Sequence, residues 1–163
     1  MMATKSMQIA LDTSLLTGLL VPNDLWHTSA LALWEEIKAA GATPVYFDCV
    51  AAETISVAVR RLREKHRLDD IEPVLEQIRT SIPHKAITWI LPDVPDLFEE
   101  TLTLVYSSKG ELNFNDALIA ISCRLRAIPA IASFDQDFDS LPWLRRICLP
   151  EHVREVSSAA GYD

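Results

Sequence analysis

The chain has 163 residues, enough to bury a core without disulfides or a structural metal, and 49% of them are hydrophobic, which excludes a disordered polymer. Its formal charge of −8 argues against a general phosphate-binding surface, because such surfaces draw on Lys and Arg. Three widely spaced cysteines, Cys49, Cys123 and Cys148, form no C-x-x-C pair, so they suggest neither a disulfide framework nor a zinc site and fit a reducing cytoplasm.

Met1–Ser6 reads as a loose end. The apolar run from Ile9 to Val21 could pass for a signal peptide, but Asp12, Thr13 and Ser14 interrupt it and no small-residue cleavage site follows. Neither secretion nor a membrane span is expected. Gln8 to Leu11 is a short first strand that ends on Asp12. From about Asp24 the apolar residues Trp26, Ala30, Leu33, Trp34 and Ile37 recur at helical spacing until Gly41 stops them. Pro44 to Phe47 is a second strand, and Val50 to Lys65 a helix with Val50, Ile55, Val57, Val59 and Leu62 among its apolar positions. Leu68 to Arg79 is a further helix with Ile71, Leu75 and Ile78 on one stripe. Ala86 to Leu91 is strand-like, and Pro95 to Tyr106 is helical with Leu97, Phe98, Leu102 and Val105 inward. After a break at Ser107-Ser108-Lys109-Gly110, Asn115 caps a helix that runs to about Arg126. Pro129 to Ala132 and Arg146 to Leu149 are the last strands.

Strands separated by helices imply crossover connections, hence an α/β domain over residues 1–163 with a mainly parallel central sheet between two helical layers. Sites in such sheets form beyond the carboxyl ends of the strands. Asp12 and Asp135 each follow a strand directly, and Glu53 and Asp116 stand in the first turns of helices, so these four acids are expected to meet at one edge. A hard divalent cation is held by a few carboxylates and keeps several waters, which matches such a set. Each acid also has a purely structural reading. Asp12 could cap a helix beginning near Ser14, Asp116 and Glu53 could be first-turn acids favoured by the helix dipole, and Asp135 could make an Asx-turn. All four sit among apolar neighbours, where an unpaired carboxylate is costly.

The segments Leu11-Asp12-Thr13-Ser14, Glu53 near a helix start, Asn113-Phe114-Asn115-Asp116-Ala117-Leu118-Ile119-Ala120 and Ser133-Phe134-Asp135-Gln136-Asp137-Phe138 together resemble the motifs of PIN-domain proteins, most closely the VapC-type toxin ribonucleases. The resemblance spans about residues 7–149, and the block from Phe114 to Phe138 is its most specific part. It implies a PIN-like three-layer α/β/α fold and a metal-dependent endoribonuclease. One or two Mg²⁺ or Mn²⁺ ions would be held by Asp12, Asp116, Glu53 and Asp135, with Asp137 second choice for the last position, and would activate a water for in-line attack. Thr13, Ser14 and Ser133 are suited to donating hydrogen bonds to the ligating carboxylates, or serve as ordinary cap and turn hydroxyls. The resemblance further implies an RNA substrate, a cognate antitoxin that covers the groove, and a homodimer.

Within that scheme the basic run Arg60, Arg61, Arg63 and Lys65 is either an RNA contact or a solvated helix face. Lys109 and the Arg145-Arg146 pair are the next candidates. The four histidines, His27, His66, His84 and His152, show no metal-ligand spacing. Three rivals remain at this stage: a PIN nuclease for RNA processing or decay, a PIN-fold binding module without chemistry, and a phosphatase or receiver domain. The last would place a second acid two residues after Asp12, where this chain has Ser14.

Overall fold

The computed structural model describes residues 6–159 and Gly161, so of the loose end expected at Met1–Ser6 only Ser6 falls within it. Among the described residues five strands, β1 (Gln8–Leu11), β2 (Thr43–Phe47), β3 (Ile87–Thr88), β4 (Ala130–Ala132) and β5 (Arg145–Ile147), make one sheet in the order β3-β2-β1-β4-β5. Every pairing is parallel. The central strand β1 is buried on both faces, with Ile9, Ala10 and Leu11 at 0% exposure. A strand covered on both sides reads as an uninterrupted apolar run, which is how Ile9-Ala10-Leu11 reads.

The helices are α1 (Thr13–Leu20), α2 (His27–Ala39), α3 (Asp48–Glu64), α4 (Ile71–Ser81), α5 (Val94–Ser107), α6 (Phe114–Leu125) and α7 (Pro150–Ala159). They lie on the two faces of the sheet, giving the expected α/β/α layers. Gly41 ends α2 as expected: it adopts φ +64, and its amide and that of Ala42 return to the carbonyls of Lys38 and Ile37. A residue with a side chain adopts that backbone only under strain.

Several boundaries and faces differ from expectation. Helix α3 starts at Asp48, two residues before Val50, which moves Glu53 from the first turn to the second. The cap of α6 is Asn113, whose side chain accepts from the Asp116 amide at 2.9 Å, and Asn115 lies inside the helix. Strand β3 keeps only Ile87–Thr88 of the run read as Ala86 to Leu91, because the chain turns into a 3-10 segment at Leu91–Asp93. The last strand begins at Arg145 and stops at Ile147, and Pro150, free of any need for an amide donor, opens the unforeseen α7.

Helix α5 carries two apolar stripes, and of the four residues expected inward Leu97 and Val105 lie on the covered one while Phe98 and Leu102 do not. Leu97, Thr101, Leu104 and Val105 face the protein, whereas Phe98, Leu102 and Tyr106 stay exposed. Ile55 of α3 is likewise exposed. Trp26, read as part of the α2 stripe, precedes the helix and is 44% exposed.

Candidate active site

Sheet register brings the first acid to its partners. Leu11 of β1 pairs with Ala132 of β4, so the next residues, Asp12 and Ser133, leave the sheet side by side. The Asp12 amide donates to the Ala132 carbonyl (3.0 Å) and the Ser133 amide to the Ile147 carbonyl (3.1 Å), which fixes both at the carboxyl edge. Asp12 is 6% exposed and Ser133 fully buried. Ser133 Oγ donates to Asp12 Oδ2 at 2.6 Å and Ser14 Oγ donates to the same oxygen at 2.9 Å.

Asp12 does occupy the N-cap position of α1, and its carbonyl accepts the first helical amides, from Leu15 and Leu16. Its side chain makes no capping bond, so the helix-cap reading explains the backbone and not the carboxylate. Burial pushes the Asp12 carboxyl above the ordinary carboxylate range, partly offset by the hydrogen bonds from Ser133 and Ser14.

The same loops tie the remaining residues in. Thr13 Oγ1 donates to Glu53 Oε2 at 2.9 Å and so links the start of α1 to α3. The Phe134 amide donates to Ser14 Oγ and the Asp135 amide to Ser133 Oγ, both at 3.0 Å. Asp135 Oδ1 accepts from the Asp137 amide at 2.9 Å and caps the 3-10 turn Gln136–Ser140, so the turn reading of Asp135 holds as well. Asp116, in the first turn of α6, is pushed up to about 7, first by burial and then by the negative charges of Asp12, Asp135 and Glu53. Four acids from four segments therefore share one electrostatic neighbourhood.

Asp137 is raised chiefly by desolvation, then by Asp135 and by Glu111, an acid that nothing in the sequence set apart. Asp135 is among the charges that push Asp116 upward. Asp139 is bound to Arg146 through two hydrogen bonds of 2.7 and 2.9 Å. Among the described residues no three Asp, Glu, His or Cys side chains stand as a ready-made metal cage. The set is all oxygen, suits a hard cation, and its mutual repulsion is what a cation relieves.

The candidate RNA contacts divide. Arg60 and Arg63 are exposed on α3 beside Ile55 and Val59, with Arg60 only loosely paired to Glu64 at 4.0 Å, and Lys65 is exposed just past the helix. Arg61 is paired with Asp24, whose side chain is 2% exposed. Arg146 is engaged by Asp139, and Arg145 pairs with Glu155 at the amino end of β5, the end of the sheet away from Asp12. Lys109 is exposed in the loop before α6. Two further features escaped the sequence. Asp48 is a buried acid that serves the fold, accepting from the amides of Cys49, Ile90 and Leu91 at 2.9–3.1 Å. Trp26 lies flat on Phe134, with ring centroids 4.8 Å apart and planes 8° from parallel.

The PIN-domain family profile matches residues 9–144. Among solved structures, Mycobacterium tuberculosis VapC20, described as a toxin that cleaves the sarcin-ricin loop, superposes with a TM-score of 0.60 at 22% identity. It covers 83% of this chain and 95% of its own. No curated protein matches significantly. With the match running through both flanking motifs and the α6 block between them, the chain belongs to the PIN-domain family.

Proposed function

We propose that this protein is a divalent-metal-dependent endoribonuclease of the toxin type, with Asp12, Asp116, Glu53 and Asp135 as its acids. What supports the reading is that Asp12 is hydrogen-bonded to Ser133 and Glu53 to Thr13 at the strand ends, and that the charges of Asp12, Asp135 and Glu53 push Asp116 upward. Membership of the PIN family and the VapC20-like fold support the nuclease and toxin parts.

Mg²⁺ uses one or two carboxylates and keeps several waters, so two of these acids would suffice as direct ligands. Asp12 and Asp116 would hold the ion, with Glu53 and Asp135 bound directly or through water. Bound there, it would lower the pKa of a coordinated water and stabilise charge on the phosphodiester. The chain's own residues do the positioning. Ser14 and Ser133 both donate to Asp12 Oδ2, which holds the carboxylate in place. Thr13 holds Glu53 in the same way. Asp135 is preferred to Asp137 as fourth acid because its charge is one of the main ones pushing Asp116 upward and its amide is tied to Ser133, which bonds Asp12.

By the same reading the partners are an RNA with unpaired segments, a cognate antitoxin laid over the acids, and a second copy of the chain, all in the cytoplasm. The exposed stripe Phe98, Leu102 and Tyr106 on α5 supports self-association. In the test, purified protein with Mn²⁺ cleaves looped RNA such as tRNA, loses that activity in EDTA, and leaves small phosphomonoesters intact. Metal-dependent phosphomonoester hydrolysis without RNA cleavage overturns the proposal.

A further inference from the structure

The segment between α1 and α2 carries an aromatic device that the acid chemistry does not use. Asp24 Oδ1 accepts from the Trp26 amide at 2.8 Å, and Arg61 of α3 grips the other Asp24 oxygen. The Asp24 side chain is almost wholly covered, so the turn that presents Trp26 is held from two sides. Below it α1 has Gly18: a methyl group there would stand 2.8 Å from Ala30 Cβ and 3.5 Å from Trp26 Cβ, so the missing side chain lets the turn settle onto the helix. His27 Nδ1 makes a 2.8 Å contact with the Gly18 carbonyl and adds a further tie. One face of the Trp26 ring is laid on Phe134, and 44% of the residue is still exposed. Phe134 is the residue between Ser133, which bonds Asp12, and Asp135.

A flat aromatic ring held by an ion-paired turn, partly open to water and stacked on the residue between Ser133 and Asp135, is suited to a flat partner. Nucleobases are such partners: they offer a π-face whatever their sequence, and stacking on an aromatic side chain contributes about 1–3 kcal/mol per base. Unpaired bases in loops and bulges are the ones free to stack in this way. From this geometry we infer that Trp26, backed by Phe134 and positioned by Asp24 and Arg61, is a stacking subsite for an unpaired nucleobase next to the cleaved phosphodiester. The inference rests on the nuclease reading for the identity of the ligand. It also gives Arg61 a role apart from Arg60 and Arg63: it orients the platform and does not touch phosphate.

The test is binding of a short, labelled, adenine-rich single-stranded RNA, followed by fluorescence anisotropy, with Ca²⁺ in place of Mg²⁺ or Mn²⁺ to slow cleavage. Trp26→Leu keeps an apolar side chain over Phe134 and removes the π-face, and should weaken binding by about tenfold or more, the scale of one lost base stack. Trp26→Phe should retain most of the affinity. An RNA whose bases are replaced by abasic sugars needs no variant protein: wild type should fall to the level of Trp26→Leu, and the two should then bind alike. Equal binding of intact RNA by wild type and Trp26→Leu overturns the inference, as does an abasic loss equally large in both. If Trp26→Leu alters only the sedimenting mass and not RNA binding, Trp26 is a protein contact and the inference fails. A wild type that binds in this pattern but never cleaves contradicts the nuclease reading alone.

Discussion

Asp12 shows how a single residue can cap a helix with its backbone while its side chain remains available for the proposed metal site. Its carbonyl starts α1, while Oδ2 accepts from the hydroxyls of Ser14 and Ser133. Ser133→Ala removes the shorter of these bonds and should lower metal-supported activity by about 10–100-fold with the fold retained, the usual consequence of losing a ligand's supporting hydrogen bond. Activity within twofold of wild type, measured on a folded variant, would make Ser133 a turn hydroxyl only. Asp116 carries the pH dependence. Its carboxyl is raised from 3.8 to about 7 in the folded chain, so the proton is held more tightly folded than unfolded. The folded state then has no penalty below the unfolded value and loses stability as pH rises through the window up to about 7. The metal-free protein in EDTA should melt at a higher temperature at pH 5 than at pH 8, and Asp116→Asn should raise the pH 8 value and flatten the difference. A steeper fall in the variant would show that other groups set the slope. That Asp12, Glu53, Asp116 and Asp135 lie near one another was legible in the sequence, although Glu53 is exposed on α3 and not embedded in an apolar run. The role of Asp48 was not, since a buried acid that accepts three amides and a ligating acid look alike until the amides are placed.

At the scale of elements, two close approaches of helices carry testable consequences. Helices α1 and α2 touch at Gly18, where an added methyl comes within 2.8 Å of Ala30 Cβ on a second helix, a contact that no rotamer change relieves. Gly18→Ala should therefore destabilise the protein by about 1–3 kcal/mol, as overpacking does, although alanine is the better helix former. A variant as stable as wild type in urea would mean that α2 shifts freely. The second approach is the start of α3, fixed by Asp48 to the segment after β3. Asp48→Ala strands the Ile90 and Leu91 amides and should cost about 2–4 kcal/mol, since unmet buried donors carry most of their desolvation penalty. An unchanged melting temperature would show water replacing the carboxylate. Strands and long helices were legible through their periodicity, including the Gly41 stop. The inward face of α5 was not, because Phe98 and Leu102 form an apolar stripe as regular as Leu97, Thr101, Leu104 and Val105. Helix α7 was hidden because its sequence follows directly on a short strand and buries only Val153 fully.

For the whole molecule, the tension lies between a net charge of −8 and the proposed RNA substrate. The structure eases it by leaving Arg60 and Arg63 exposed on α3 while Arg61, Arg145 and Arg146 are taken up by acids of their own. No ordering of charges along the sequence could make that distinction, because Asp24 and Asp139 reach their arginines only after folding. Reversing Arg60 and Arg63 together to Glu should weaken RNA binding and reduce its salt dependence by about two counterions, one per lost phosphate contact, with metal affinity unaltered. An unchanged salt slope would make this stretch of α3 a solvated face. The central claim is that acids from four segments act as one metal site, and titration calorimetry with Mn²⁺ tests it most directly. Wild type should bind, and Asp12→Asn and Asp116→Asn should each weaken binding sharply, because each removes a negative oxygen from the same ion. Mn²⁺ binding that is unchanged in both variants would contradict the account.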